Sequence, residues 1–158
     1  MGCALPIAIG ASIAAERRPV FVIVGDGGMQ MNIQELETVR REKLPIKILI
    51  LNNESLGKIS ETQHGSYDDR FAQTTASSGY TVPNFAKIAE AYGIRAADLC
   101  SFEELDSYQD WFSDDDSFVL DISLPELMEL VPKISWGSGT ILPSIDSDLE
   151  RRVHEALK

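Results

Sequence analysis

The chain is poor in cysteine: Cys3 and Cys100 are the only two in 158 residues. Two thiols so far apart exclude a disulfide framework and a cysteine-based zinc site. A reducing, cytoplasmic setting is expected. Positive charge is also scarce. Fourteen Lys and Arg stand against 25 Asp and Glu, for a net charge of −11. Nucleic acid is therefore not an expected partner, because neutralising its phosphates needs a basic patch. A small phosphate-bearing ligand stays open, since backbone N–H groups and a metal can hold one. Long apolar runs are missing too. The apolar stretch Met1–Ala15 is too short to span a bilayer. It also lacks the basic start of a secretion signal, and Glu16, Arg17 and Arg18 follow it. No membrane association is expected, and no internal repeat appears.

What remains is ordinary globular material, 44% hydrophobic and 25% charged, enough for one domain with a real core. Leu5, Ile9 and Ile13 recur at helical spacing in a helix over Leu5–Ala15, and the small residues around them allow close backbone approach. Val20–Val24 is an unbroken apolar run, as in a strand buried on both faces. Gly25–Gly28 reads as a turn. Asn32 with Glu35 three residues on has the pattern of a helix-opening capping box, followed by Ile33, Leu36 and Val39. Ile46–Leu51 is a second apolar strand.

Lys58–Gly79 is polar and reads as a long loop with a short helical turn near Leu56–Glu61. Pro83–Tyr92 is helical, Ile94–Ala97 a short strand, Ser101 or Phe102 to Phe112 a helix, and Phe118–Ile122 a strand. Residues 1–125 form the expected core. Residues 126–158 form a tail with a terminal helix from Asp146 or Asp148 to Leu157. Between Asp98 and Glu129 lie eleven acidic residues and no Lys or Arg, which reads as a solvated face. His64 and His154 read as surface residues, Trp111 as core and Trp136 as packed in the tail. Alternating strands and helices make this an α/β domain with a mostly parallel sheet flanked by helices.

The stretch Val20–Gly57 organises the rest. Two apolar strands each end in a polar turn, and 24 residues separate Gly27 from Asn52. That is about what a strand–helix–strand crossover needs. Such a crossover brings both turns to the carboxyl edge of a parallel sheet, where open α/β sheets bind ligands. Alone, Gly25–Gly28 is more often a plain turn than a site. It is not a dinucleotide fingerprint, because Gln30 stands where glycine is needed, and no phosphate-binding Gly-Lys-Ser/Thr follows. Paired with Asn52 and Asn53, it offers a carboxylate, amide oxygens and glycine N–H groups. That set suits Mg²⁺ with a diphosphate.

The Gly25, Asp26, Gly27 turn, the 24-residue interval and the Asn52–Asn53 pair resemble the signature of thiamin-diphosphate (ThDP) enzymes. Leu5–Pro6, Ala8–Ala11, Gln34–Thr38, Ile48–Asn53, Leu56–Gly57, Ser78–Tyr80, Phe85–Ala89 and Ala91–Ile94 extend the likeness to the pyrophosphate-binding domain of acetolactate synthase and its relatives. The likeness is strong over Met1–Glu104 and weak after Pro125.

The resemblance implies that Asp26, the Asn53 side chain and the Ser55 carbonyl ligate Mg²⁺. It implies that Gly27 and Gly28 donate N–H bonds to the diphosphate, with Leu56 and Gly57 alongside. Met1 falls where the family has a large apolar residue under the bent cofactor. The implied activity is decarboxylation or carboligation of a 2-oxo acid, with a homo-oligomer expected; a flavin (FAD) stays open, though nothing in the sequence indicates one. No catalytic residue is assigned, because the family's activating glutamate lies on a pyrimidine-binding domain that this chain lacks. That domain is expected as a partner, on the same longer chain or on another. Lys58 and Thr62 stand where biosynthetic acetolactate synthases usually carry Met and Trp, which leaves the second substrate open. Two other readings stay open: the cofactor subunit of a two-chain decarboxylase, and a non-catalytic module that retains the fold.

Overall fold

A computed structural model describes residues 1–126, 133–134, 141–142, 148, 151–152 and 155. Four parallel strands form the main sheet: β1 (Val20–Gly25), β2 (Ile46–Asn52), β3 (Arg95–Leu99) and β4 (Phe118–Ser123), in the order β1-β2-β4-β3. Helices α1 (Ala4–Ala14), α2 (Asp26–Gln30), α3 (Leu36–Arg41), α4 (Gly57–Ser66), α5 (Phe85–Ala91) and α6 (Gln109–Ser113) connect and flank them. In register, Gly25 lies opposite Leu51, and Asn52 opposite Ser123. All four strands therefore end at one edge.

The chain divides into two compact units, Met1–Leu127 and Met128–Lys158. In the second, β5 (Lys133–Ile134) pairs antiparallel with β6 (Ile141–Leu142). Asp148, Arg151, Arg152 and Glu155 are helical. The rest of the expected terminal helix, with His154 and Trp136, lies outside the described residues.

Each face of the sheet carries its own cluster. On one, Val22, Val24, Ile46, Ile48, Ile50 and Val119 meet Leu5, Ala8 and Ile9 of α1, Leu36 and Val39 of α3, and Phe85 and Ala89 of α5. On the other, Leu99, Phe118, Leu120 and Ile122 pack with Leu105, Tyr108, Trp111 and Phe112. Lys47 lies within this second layer with its side chain fully buried. Its ammonium donates to the carbonyls of Trp111, Asp114 and Asp116 at 3.2, 2.7 and 2.5 Å, and to Asp114 Oδ1 at 3.3 Å. Beside it, Arg95 lies over the Trp111 ring at 4.7 Å and donates to Asp114 Oδ1 at 2.5 Å.

Several local expectations need correction. β1 is not buried on both faces: Phe21 and Ile23, on the face opposite Val22 and Val24, are 56% and 69% exposed. Ile13 is exposed, since the buried face of α1 runs through Leu5, Ala8, Ile9 and Ser12. Asn32 caps no helix; its amide donates to the Gly2 carbonyl at 2.7 Å, and a 3₁₀ turn precedes α3. The first nine residues of the expected polar loop after Gly57 belong to α4, ten residues long, with an exposed His64 bonded to Asp69. The helix after Ser101 is 3₁₀ over Phe102–Tyr108 before α6. β3 extends to Leu99. The acidic stretch is not all solvated, because Asp121 is only 6% exposed.

Candidate functional site

β1 ends at Gly25, and α2 begins at once with Asp26, where a plain turn was expected. Asp26 is 2% exposed. Its Oδ1 accepts the Gly27 N–H at 2.6 Å and its Oδ2 accepts the Ser55 N–H at 3.1 Å. Burial pushes its carboxyl above the usual range. The Gly27, Ser55 and Glu54 N–H groups oppose that shift, and the Glu54 charge adds to it.

The second turn follows β2. Asn52 Oδ1 accepts the Glu54 N–H at 3.1 Å, and Glu54 sits at φ +50°, a conformation uncommon outside glycine. Asn53 Nδ2 donates to the Glu126 carbonyl at 2.9 Å, which orients the amide. Ser55 is buried; its hydroxyl donates to the Thr74 carbonyl at 2.8 Å and lies 3.1 Å from Ser60 Oγ. Gly57 opens α4. A Cβ there would lie 2.9 Å from Asn53 Nδ2, so only glycine leaves that amide its place.

Gly27 marks a point of convergence. A Cβ on it would meet Leu56 Cδ2 at 2.5 Å, the Tyr80 hydroxyl at 3.1 Å and Met1 Cε at 3.4 Å. A Cβ on Gly28 would meet Val24 Cγ2 at 3.0 Å, so that glycine faces β1. The structure thus joins Asp26 to Ser55, gathers Met1, Gly27 and Leu56, and sets Asn53 against Gly57.

Two neighbours escaped the sequence reading. Tyr80 accepts a long hydrogen bond from Gln30 Nε2 at 3.4 Å. Burial, and then the Asp26 charge, push its phenol up to about 12. Asp121, in β4 opposite Ile50 of β2, is buried, and burial raises its carboxyl above the usual range. Neither stood out: Tyr80 follows a polar loop, and Asp121 is one acid among eleven.

Among the described residues, no group of three His, Cys, Asp or Glu could hold a metal. The donors here are of another kind: one buried carboxylate, one amide and one main-chain carbonyl beside it. Hard oxygens in that number fit a small divalent cation that keeps phosphate oxygens and water as its other ligands. Fold and site together define a parallel α/β domain whose two turns meet at the carboxyl edge of the sheet, where open α/β sheets bind ligands.

Residues 1–122 match the model of the family described as "Thiamine pyrophosphate enzyme, C-terminal TPP binding domain", and the chain belongs to that family. It is 34% identical over 140 residues to the acetolactate synthase isozyme 2 large subunit of Escherichia coli (strain K12), covering 88% of this chain and 25% of that protein. To the chloroplastic acetolactate synthase 3 of Brassica napus it is 39% identical over 142 residues, covering 87% and 22%. Among solved structures it resembles the Rhodococcus jostii RHA1 thiamine diphosphate-dependent 4-hydroxybenzoylformate decarboxylase. The TM-score is 0.68 and the identity 26%, over 79% of this chain and 23% of that one. The chain thus spans about a quarter of the length of these relatives. The expected fold and the likeness to acetolactate synthase are both borne out.

Proposed function

We propose that this chain holds the diphosphate end of ThDP, through Mg²⁺, in a 2-oxo-acid decarboxylase or carboligase of the acetolactate synthase type. The observation that carries the reading is the bond from Ser55 N–H to Asp26, which sets the two turns of the family signature against each other. Asp26, the Asn53 amide oxygen and the Ser55 carbonyl are the metal ligands. A divalent cation beside Asp26 favours its ionised form and offsets the cost of burying it. Gly27 and Gly28 lie in the first turn of α2, whose main-chain N–H groups find no partner along the helix. The Gly28 N–H, and the Gly27 N–H in exchange for Asp26 Oδ1, donate to the diphosphate. Leu56 and Gly57 close the same wall, and Met1 and Leu56 supply apolar surface above Gly27.

When bound, ThDP supplies the electron sink for decarboxylation of a 2-oxo acid. The work of this chain is to bind, orient and exclude water. The activating carboxylate belongs to a pyrimidine-binding domain supplied by the same longer chain or by a partner. A homo-oligomer in the cytoplasm completes the reading.

Titration calorimetry of the complete enzyme with ThDP, in Mg²⁺ and in excess chelator, tests this. We expect binding that needs the metal. Equal binding in chelator, or none in either condition, overturns the proposal.

A further inference from the structure

The turn between β2 and α4 is held from a second side, by a residue 19 positions after Ser55. Thr74 is 3% exposed, and its carbonyl accepts both the Leu56 N–H at 2.9 Å and the Ser55 hydroxyl at 2.8 Å. The Thr74 hydroxyl donates to Gln63 Oε1 of α4 at 2.6 Å. Thr74 therefore grips the turn and the helix that follows it.

Ser78 fixes Thr74 in turn. The Ser78 hydroxyl oxygen accepts the Thr74 N–H at 3.0 Å and the Thr75 N–H at 2.9 Å, and the hydroxyl donates to the Thr75 carbonyl at 3.1 Å. The Ser78 carbonyl accepts the Gln73 N–H at 3.1 Å and Gln73 Nε2 at 3.2 Å. One serine thus closes the segment from Gln73 to Ser78 on itself.

The consequence falls on the Ser55 carbonyl. It shares a peptide unit with the Leu56 N–H, and in a planar trans unit the two point in opposite directions. With that N–H on Thr74, the carbonyl is turned away from Thr74. No hydrogen bond reaches it among the described residues. On the other side of Ser55, its own N–H is fixed on Asp26. Both peptide units flanking Ser55 are therefore set.

We infer that Ser78 is a positioning residue for the metal site: its hydroxyl fixes Thr74, whose carbonyl sets the Ser55–Leu56 peptide so that the Ser55 carbonyl is presented to the cation. This rests on the proposed function and assigns a role to a residue outside both turns. Ser78 is not itself a ligand; it acts through Thr74.

The test is Mn²⁺ binding to the complete enzyme in saturating ThDP, read from the electron paramagnetic resonance of free Mn²⁺. Altering a group that orients a metal ligand typically costs about 10–100-fold in affinity. Ser78→Ala should weaken Mn²⁺ by that factor. Ser55→Ala keeps the main-chain carbonyl but drops the bond to Thr74, and should weaken Mn²⁺ in the same direction. The double variant should lose less than the product of the two losses, because both act through the Thr74 carbonyl. Ser78→Thr keeps the hydroxyl and should restore affinity to within about threefold. Ser77, whose hydroxyl lies 3.1 Å from Thr75 Oγ1, belongs to the same segment but not to this chain of contacts. Ser77→Ala should stay within about twofold.

A merely structural role would lower the melting temperature of Ser78→Ala and leave its Mn²⁺ affinity unchanged; that result overturns the inference. Losses that multiply in the double variant, or an equal loss in Ser77→Ala, overturn it as well. Should Ser78→Ala fail to fold, unchanged affinity in Ser55→Ala overturns it equally. If the unaltered enzyme binds no Mn²⁺, the metal reading itself falls, and this inference with it.

Discussion

Asp26 accepts the Ser55 N–H at 3.1 Å across 29 positions of sequence. One carboxylate oxygen therefore bridges the two turns, and the other accepts from its own neighbour, Gly27, at 2.6 Å. Asp26→Ala removes the sole anion of the proposed ligand set together with the bridge. We expect Mg²⁺-dependent ThDP affinity to fall by at least about 100-fold, beyond the usual effect of an outer-shell change. The fold should be retained, because the core clusters do not include Asp26. Calorimetry and circular dichroism on the same preparation check both halves. Undiminished binding would remove Asp26 from the metal site.

Gly57→Ala separates metal binding from stability. The new Cβ would lie 2.9 Å from Asn53 Nδ2, so the amide must move off the Glu126 carbonyl. We expect Mg²⁺ to bind about 10-fold more weakly, on the scale of a misoriented ligand. Stability should hold or rise by up to about 1 kcal/mol, because alanine suits a helix better than glycine. A metal titration beside a urea melt reads the two effects independently.

The sheet was legible because its central strand is simple. Ile46, Ile48 and Ile50 are fully buried, and a run that is apolar but for Lys47 says as much. The same run on β1 misleads, since Phe21 and Ile23 look alike in sequence whether or not a neighbour covers them. α4 was nearly invisible: Ser60 is its one fully buried residue, so it has no apolar stripe. Local bonds such as Lys58 to Glu61 at 2.6 Å help to hold it. The Asn32 capping pattern lost to a tertiary contact with Gly2. In the site, the meeting of the Asp26 turn with the turn after Asn52 was legible through the interval between them, while Ser55 itself came only with the family resemblance. Tyr80 and Asp121 were not: the Tyr80 partner Gln30 lies 50 positions away, and only strand register sets Asp121 opposite Asp98.

Lys47→Met should destabilise the domain without touching the site. The lysine ammonium is buried and ties the carbonyls of Trp111, Asp114 and Asp116 to β2. Methionine fills the volume and leaves those acceptors without their donor. We expect a loss of about 2–4 kcal/mol, read as a lower urea midpoint with an unchanged slope. Amide exchange should speed first over residues 111–116. ThDP affinity at saturating Mg²⁺ should stay within about twofold, since Lys47 enters the layer opposite α1, α3 and α5.

Asp121 makes a prediction about pH that does not involve metal. Burial, the largest effect, and the neighbouring Asp98 raise its carboxyl above the ordinary range. Between the unfolded and the raised folded value, the folded protein binds more protons than the unfolded chain. Stability from this group therefore falls as pH rises through that window, and the penalty is complete above it. Asn at this position carries no charge. Asp121→Asn should thus gain stability over the parent at neutral pH and match it more closely at the acid end. Asp26 is raised in the same direction, so the parent's whole curve mixes both groups. The difference between variant and parent isolates Asp121 to the extent that the two sites act independently. Urea melts of both proteins in metal-free buffer, from acid to neutral pH, give that difference. A variant less stable than the parent at neutral pH, or a difference that does not grow with pH, would show that the Asp121 charge is better paired than its buried Oδ1 indicates.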